Sequence, residues 1–266
     1  MITAVVSKKG GVGKTTTSVS LAAALAGEGR RVLLVDLDSQ ASASMSLGVP
    51  RSALAPSVAD VLLWGRPVRQ AIRRTGVPGL DLVTASVDLV SAEVELGGLR
   101  QREERLAQML DRVRDDYDLV FLDCPPGLGI LPVNALAAAD AFLVPVSPQF
   151  LAITGVDSLL ATAERIRHHH NPRLALAGVL LTLVDYRSNE TRRNVDELRR
   201  RYGGQVFAVE VRINVRLAEA PGSAQTIFQY DPSATGARAY RLAAEELLLR
   251  TRRLREAPAT PLIAGA

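Results

Sequence analysis

The residues of this sequence best suited to charge chemistry are its three lysines, Lys8, Lys9 and Lys14, which all lie in the stretch KKGGVGKTTT. The chain has 32 basic residues, so the other 29 are arginines. Lysine offers a compact ammonium on a flexible stem, whereas arginine offers a planar fork. The confinement of lysine to one glycine-rich stretch indicates that some of these positions need that ammonium.

The surroundings of these lysines predict a phosphate-binding loop. An apolar run at 2–6 predicts a strand before the glycines, and residues 15–26 predict a helix after them. A glycine-rich turn that leads into a helix N-terminus presents N–H groups to phosphate. Lys14 would reach the β- and γ-phosphates, and the Thr15 hydroxyl would bind Mg²⁺. The predicted nucleotide-binding residues here are Gly10, Gly11, Val12, Gly13, Lys14, Thr15 and Thr16.

The loop departs from G-x-x-x-x-G-K-[ST] at its first position, which is Lys8. The stretch KGGVGKTT resembles the deviant Walker A motif of the ParA/MinD group of P-loop ATPases. That resemblance implies ATP and Mg²⁺ as cofactors. It also implies that Lys9 is the signature lysine, which crosses an ATP-sandwich dimer to touch the partner's phosphates. Lys9 and Lys14 would then both serve ATP hydrolysis.

Three aspartates follow predicted strands. Asp36 and Asp38 in VDLDSQ are two residues apart and so project to the same side of an extended segment. Asp123 ends an apolar strand, as a Walker B carboxylate does, where it would hold Mg²⁺. The resemblance implies that Asp38 orients the attacking water, with Asp36 beside the metal. The alternative is that Asp36 and Asp38 only end a strand and cap the next segment.

The order of apolar runs predicts the fold. Continuous runs are typical of strands buried on both faces, and helical patterns separate them. We therefore expect an α/β fold with a doubly wound, largely parallel sheet and helices on both faces. Residues 1–256 would form one P-loop ATPase domain, with a flexible tail at 257–266. A long helical region is expected between 85 and 114. The expected strands after the first lie at 31–35, 80–84, 119–122, 141–146 and 174–183.

Composition narrows the function classes. No apolar run approaches the length of a membrane span, and the chain enters a strand at once, so we expect a cytoplasmic protein. The single cysteine, Cys124, argues against a disulfide framework. It also argues against a reductase subunit of the nitrogenase iron protein type, which needs several cysteines for its cluster.

A basic segment, DYRSNETRRNVDELRRRY, covers 185–202. Ser188 or Asn189 would cap a helix in which Arg192 and Arg193 are candidates to contact a DNA backbone, and Arg192 is expected to pair with Asp196. A solvated helix face is the plain alternative.

The resemblance to the ParA/MinD group adds three positions. It implies non-sequence-specific DNA contacts by Arg187 and by Arg216 in RLAEAP. Just before that motif, the chain reads Val211-Arg212-Ile213-Asn214 where relatives commonly have Ile-Pro-Arg-Asn. In relatives this segment lies near the nucleotide base, so Asn214 is a candidate nucleotide-binding residue.

The resemblance covers most of the chain and favours ATP-dependent partition of a chromosome or plasmid. Mg·ATP would drive formation of a homodimer that binds non-specific double-stranded DNA in the nucleoid, and a ParB-type partner would stimulate slow hydrolysis. The alternative is a MinD-like ATPase that binds membranes through a terminal amphipathic helix. The final predicted helix has no Phe or Trp anchor, so we expect no membrane binding.

Overall fold

The computed structural model describes residues 1–149, 151–256 and 262. In this part of the chain the strands are β1 (Ile2–Val5), β2 (Val32–Asp36), β3 (Ile72–Arg74), β4 (Leu80–Val83), β5 (Leu119–Asp123), β6 (Ala141–Val146) and β7 (Ala175–Leu181). The α-helices are α1 (Lys14–Gly27), α2 (Ser42–Ser46), α3 (Val58–Trp64), α4 (Val68–Ala71), α5 (Leu89–Gly97), α6 (Arg105–Leu110), α7 (Ile130–Ala138), α8 (Ala152–His169), α9 (Asn189–Tyr202), α10 (Val215–Glu219), α11 (Ile227–Tyr230) and α12 (Thr235–Glu256).

The strands form one seven-stranded sheet in the order β3-β4-β2-β5-β1-β6-β7. All neighbours are parallel except β3 and β4. The prediction of a doubly wound, largely parallel sheet is confirmed. Strand β3 was not predicted because it is only three residues long and lies in an arginine-rich stretch.

Alternate residues of the central strands pack into two apolar layers. On β2, Leu33 and Val35 join a core with α3 and α5 to α9, whereas Val32 and Leu34 join a core with α1 and α12. Successive side chains of a strand point to opposite faces of the sheet, so both faces need a cover of helices. This explains why β2 reads as a continuous apolar run.

Strand register places the functional loops together. β1 lies between β5 and β6, and Val5 stands beside Asp123. On the other side of β5, Asp36 of β2 is also paired with Asp123. The carboxyl ends of parallel strands meet at one edge of the sheet, where open α/β folds bind ligands.

The last helix packs against the first. Thr17 of α1 and Tyr240 of α12 are buried, and their hydroxyl oxygens lie 3.0 Å apart in a hydrogen bond. Burial raises the pKa of Tyr240 well above its ordinary value. The phosphate-loop helix is therefore tied to the end of the chain by a polar contact inside the apolar layer.

The chain between β4 and β5 forms two short helices, α5 and α6. The prediction of one long helical region at 85–114 was wrong, because α5 ends at Gly97 and Gly98, residues of low helix propensity. The loop before α6 is held by Asn134, whose amide donates to the Arg102 carbonyl at 2.7 Å. The predicted tail, 257–266, lies outside the described residues except for Leu262.

An extended segment, residues 206–213, runs along β7 and carries residues toward the sheet's ligand-binding edge. The Phe207 N–H donates to the Val179 carbonyl at 2.9 Å, and Arg212 forms a parallel bridge with Val184. Gly178 has a φ of 151°, and a Cβ atom there would lie 2.6 Å from the Phe207 ring. Glycine is therefore required where this segment crosses the strand.

Candidate functional site

The loop between β1 and α1 has the backbone shape of a phosphate cradle. Gly11 and Gly13 have φ values of 71° and 78°, which favour glycine. Val12 is buried, and its carbonyl accepts a hydrogen bond from the Thr182 hydroxyl at 2.8 Å. The loop is thus anchored to the end of β7 while its glycines stay open toward a cavity.

Lys14 lies inside this cradle with a side chain that is mostly buried. Its ammonium donates to the Lys9 carbonyl at 3.4 Å. Burial lowers the pKa of Lys14, while the nearby carboxylates of Asp123 and Asp38 act in the opposite direction. A partly desolvated ammonium with one weak hydrogen bond is well placed to bind phosphate oxygens.

Asp123 and Asp36 form a buried carboxylate pair at the ends of β5 and β2. Asp123 Oδ1 accepts from the Ser18 hydroxyl at 2.8 Å. Burial raises the pKa of Asp123 from 3.8 to about 6. Burial and the charge of Asp123 raise the pKa of Asp36 to about 7. Two buried carboxylates this close favour a cation between or beside them.

The donor set at this pair fits Mg²⁺. Asp123 Oδ2 is buried and has no hydrogen-bond partner, and the nearby Thr15 hydroxyl lowers the pKa of the Asp123 carboxyl. Both oxygens of Asp36 are used, Oδ2 by the Ser44 N–H and hydroxyl at 2.9 and 2.8 Å, and Oδ1 by the Asp38 N–H at 3.1 Å. Thr15 and Asp123 would therefore hold the metal directly, and Asp36 would support it through neighbouring groups.

Mg²⁺ in nucleotide sites usually takes one or two protein ligands together with phosphates and waters. Within the described residues, no group of three or more His, Cys, Asp or Glu side chains could hold a metal. Thr15 and Asp123 suit a metal whose other ligands are phosphates and waters. When bound, Mg²⁺ would neutralise charge on the phosphate oxygens.

Asp38 lies at the rim of the same cavity and is half-buried. Its Oδ1 accepts from the Gln40 N–H at 3.0 Å, which leaves Oδ2 without a protein hydrogen bond in the described chain. A carboxylate in this position can accept a proton from, or orient, a water molecule near the phosphates. The structure thus brings Lys14, Thr15, Asp36, Asp38 and Asp123 together.

The cavity has a volume of about 470 Å³, within the range of small-molecule sites. Gly10, Gly11, Gly13, Lys14, Thr15 and Thr16 line it, whereas Val12, predicted with them, does not. Their contacts with a nucleotide stay predictions. Sequence reasoning missed much of the remaining lining. It includes Leu183, Leu217, Ala220, Pro221, Gln225, Thr226 and Ile227. The RLAEAP motif contains three of these residues, so that motif was the available signal.

Asn214 lies two residues before that motif and differs in position from the motif residues that line the cavity. It does not line the cavity. Its Oδ1 caps α10 by accepting from the Leu217 N–H at 3.1 Å, and its Nδ2 donates to the Thr235 hydroxyl at 2.8 Å. The direct nucleotide contact expected of Asn214 stays a prediction. In this structure its side chain fixes α10, and α10 supplies Leu217 to the cavity.

The other two lysines are exposed and point away from their own cradle. The Lys9 ammonium donates to the Gln149 side-chain oxygen at 2.9 Å, and the Lys8 ammonium donates to the Ser158 hydroxyl at 3.1 Å. Lys9 is thus exposed at the surface, and its contact with a partner subunit stays a prediction. Lys8 joins the loop to α8.

The four predicted DNA-binding arginines do not form one cluster. Arg187 makes a bidentate ion pair with Asp185, with hydrogen bonds of 2.6 to 3.1 Å, and lowers the pKa of that carboxyl to about 2. Arg192 lies with its guanidinium 5.3 Å from the Tyr186 ring centroid. Both residues line an open basic cavity of about 710 Å³. Arg193 is exposed but does not line it.

Arg216 lies on α10, apart from the basic cavity lining. Its guanidinium pairs with Glu219 at 2.8 Å and Asp231 at 3.6 Å. The expected ion pair between Arg192 and Asp196 was wrong, because the ring of Tyr186 takes the guanidinium instead. The helix start was predicted correctly, and the Ser188 hydroxyl accepts from the Thr191 N–H at 3.5 Å.

Known proteins are similar to this chain in both sequence and fold. A family model described as an AAA domain matches residues 1–176. The chromosome partitioning protein ParA of Caulobacter vibrioides is 40% identical over 253 residues, which are 94% of this chain and 95% of the relative. The chromosome-partitioning ATPase Soj of Thermus thermophilus is 45% identical over 248 residues, 93% of this chain and 95% of the relative. The chain belongs to the ParA/MinD family of P-loop ATPases.

Solved structures agree with this membership. The cell division ATPase MinD of Pyrococcus furiosus has a TM-score of 0.77 at 25% identity, covering 93% of this chain and 98% of that chain. A Mycobacterium smegmatis structure named cobyrinic acid a,c-diamide synthase, with bound ADP and magnesium, has a TM-score of 0.82 at 37% identity. The match covers 97% of this chain and 98% of that chain. As a ParA/MinD member, the protein is an ATP hydrolase, as its sequence predicted.

Proposed function

We propose that this ATPase partitions chromosomal or plasmid DNA, and that Mg·ATP switches it to a DNA-binding homodimer. The observation that carries the proposal is the closeness of two surfaces. Leu183 lines the nucleotide cavity, and Asp185 and Arg187, two and four residues later, line the basic cavity. A change at the nucleotide would therefore reach the basic surface through a very short piece of chain.

Support for partition also comes from the relatives. ParA of Caulobacter vibrioides and Soj of Thermus thermophilus both carry chromosome partitioning in their names and align over more than nine-tenths of this chain. ATP and Mg²⁺ are the cofactors, consistent with the cradle, Thr15 and the unpartnered oxygen of Asp123.

The proposed dimer would be closed by Lys9 and by apolar side chains near the nucleotide cavity. Leu183, Ile213 and Val215 are 41%, 52% and 65% exposed, although they are large and hydrophobic. The Ile213 N–H donates to the Val184 carbonyl at 3.2 Å, so these residues lie on neighbouring chain segments. Burial of such side chains between subunits would favour association.

The turnover step rests on Asp38. Its half-buried carboxylate at the cavity rim would orient the attacking water, and slow hydrolysis would then separate the subunits. A ParB-type partner bound to DNA would accelerate that step. The protein would act in the cytoplasm, associated with the nucleoid.

The membrane alternative is disfavoured by the packing of α12. Tyr240, Ala243, Ala244 and Leu247 are buried in the layer shared with α1, so the main apolar side of this helix is already covered. Among the described residues, no helix is both long and apolar enough to cross a membrane. An interfacial helix would need a free apolar face.

The deciding experiment mixes the protein with non-specific duplex DNA or with anionic liposomes, with and without Mg·ATP. We expect ATP-dependent binding to DNA and none to liposomes. Lys9→Ala is the matched control, because it should bind nucleotide but lose both dimerisation and DNA binding. Binding to liposomes but not to DNA would overturn the proposal.

A further inference from the structure

Tyr186 lines the basic cavity, and two arginines lie beside its ring. The Arg192 guanidinium carbon is 5.3 Å from the ring centroid, and the Arg212 carbon is 5.0 Å from it. Attraction between a guanidinium and a tyrosine ring orients the cation without neutralising its charge. The two side chains come from separate segments, α9 and the extended segment beside β7.

Arg212 owes its position to the register of the extended segment beside β7. Neighbouring side chains of an extended segment point to opposite sides. The bridge between Val184 and Arg212 fixes which side each residue takes. The Arg212 guanidinium therefore lies beside Tyr186, and the next residue, Ile213, presents an apolar side chain that is half exposed.

Arg192 and Arg212 are also free to bind an anion. Neither makes an ion pair with a carboxylate in the described residues. Arg187 and Arg216 differ, because each is paired with carboxylates of its own chain. To bind a phosphate, Arg187 would have to give up a bidentate pair and leave Asp185 facing the same anion.

The ring itself is held in place. The Tyr186 hydroxyl donates to Glu210 Oε2 at 2.6 Å, and Arg199 donates to Glu210 Oε1 at 2.7 Å. Each oxygen of Glu210 therefore has a partner, and this mostly buried carboxylate joins α9 to the segment that carries Arg212. A rigid ring between two segments keeps the two guanidiniums at a set spacing, which lowers the entropy lost when they bind.

We propose that Arg212, together with Arg192 and the Tyr186 ring, forms a phosphate-backbone contact for DNA in this protein, beside Arg187 and its ion pair with Asp185. The inference rests on the proposed function, which supplies the DNA. Two planar guanidiniums match phosphate oxygens, and such contacts bind without reading sequence. Glu210 acts as a positioning residue through its bond to Tyr186.

The test compares Arg212→Ala with Arg200→Ala. Arg200 is an exposed arginine of α9 whose hydrogen bond goes to its own helix backbone, at the Asp196 carbonyl, and it does not line the basic cavity. The two variants lose the same charge. DNA affinity is measured with Mg·ATP across a range of salt concentrations. Basal ATP hydrolysis without DNA and thermal unfolding show whether each variant is folded.

Affinity for DNA falls as salt rises. We expect Arg212→Ala to make the slope of log affinity against log salt less steep by about 0.9 for each subunit on the DNA, and Arg200→Ala to leave it unchanged. Arg212→Lys should restore most of the slope, because it restores the charge. Equal slopes for Arg212→Ala and wild type, or equal losses in both alanine variants, would overturn the inference alone. A wild-type protein that binds no DNA with ATP would overturn the proposed function and this inference with it.

Discussion

Asp123→Asn should remove a pH-dependent destabilisation of the nucleotide-free protein while it impairs metal binding. Asp123 is fully buried, and its Oδ2 has no hydrogen-bond partner. Asparagine has nearly the same shape, and its oxygen can still accept from the Ser18 hydroxyl, which is 2.8 Å from Asp123 Oδ1. The substitution therefore removes a charge whose burial destabilises the folded protein. The amide nitrogen of the asparagine is left as a buried donor without a partner, at a cost of about 1–3 kcal/mol that does not change with pH.

The size of the gain follows from the pKa of Asp123. Burial raises this pKa from 3.8 to about 6, and a tenfold change in proton affinity corresponds to about 1.4 kcal/mol. The ionised carboxylate therefore destabilises the folded state by at most about 3 kcal/mol above pH 7. Because the folded protein binds the proton more tightly than the unfolded chain, this destabilisation shrinks as pH falls, to about half at pH 5.

The assay is urea unfolding in EDTA at pH 8 and at pH 5, for wild type and Asp123→Asn. We expect the stability of the variant relative to wild type to be higher at pH 8 than at pH 5. The same measurement with Mg²⁺ and a slowly hydrolysed ATP analogue should shift the comparison toward wild type. Wild type should gain about 2.7 kcal/mol when free ligand is at 100 times its Kd, and the variant should gain much less.

Two results would refute this reasoning. If the difference in stability between Asp123→Asn and wild type in EDTA is the same at pH 8 and at pH 5, the buried carboxylate is not a source of destabilisation in the free protein. If the variant gains as much from Mg²⁺ and nucleotide as wild type does, Asp123 does not hold the metal.

Three further predictions concern neighbouring groups. Asp38→Ala should keep nucleotide affinity within about threefold and lower phosphate release at least about 100-fold, the usual range for a lost base; normal turnover would remove Asp38 from the mechanism. Tyr240→Phe leaves the Thr17 hydroxyl unpaired and should cost about 1–2 kcal/mol, seen as a lower Tm, and an unchanged Tm would contradict the importance of this bond. Asn214→Ala should weaken nucleotide binding because α10 loses its cap, and Asn214→Ser should restore it. Failure of serine to restore affinity would point to direct contact by the amide.

The chemistry of the candidate site was largely predictable because it follows local rules. Glycines before Lys14 and Thr15 predict a phosphate cradle, and the carboxylate of Asp123 at the end of an apolar strand predicts a metal ligand. These features depend on strand ends and spacing alone. The doubly wound sheet was predictable for the same reason, since strands buried on both faces leave continuous apolar runs.

The rest depends on contacts between distant segments. No local pattern shows that the Arg192 guanidinium lies over the Tyr186 ring and not beside Asp196, as the sequence predicted. Tyr186 and Arg212 come together through the register along β7, which joins distant parts of the chain. The cavity lining from 217–227 was missed for a similar reason. Apart from Gln225, its residues are small or apolar side chains without a chemistry of their own, and the RLAEAP motif was the one signal for three of them.

The place of β1 in the sheet has a consequence for synthesis of the protein. β1 and the phosphate loop leave the ribosome well before the strands that pair with β1, because these are β5 and β6, which end at Asp123 and Val146. The helix after the phosphate loop, α1, contacts Tyr240 of α12, which is made later still. A nascent chain thus carries the cradle's residues long before it has the strands and helix that shape it. Nucleotide can stabilise this fold only after synthesis has passed Tyr240.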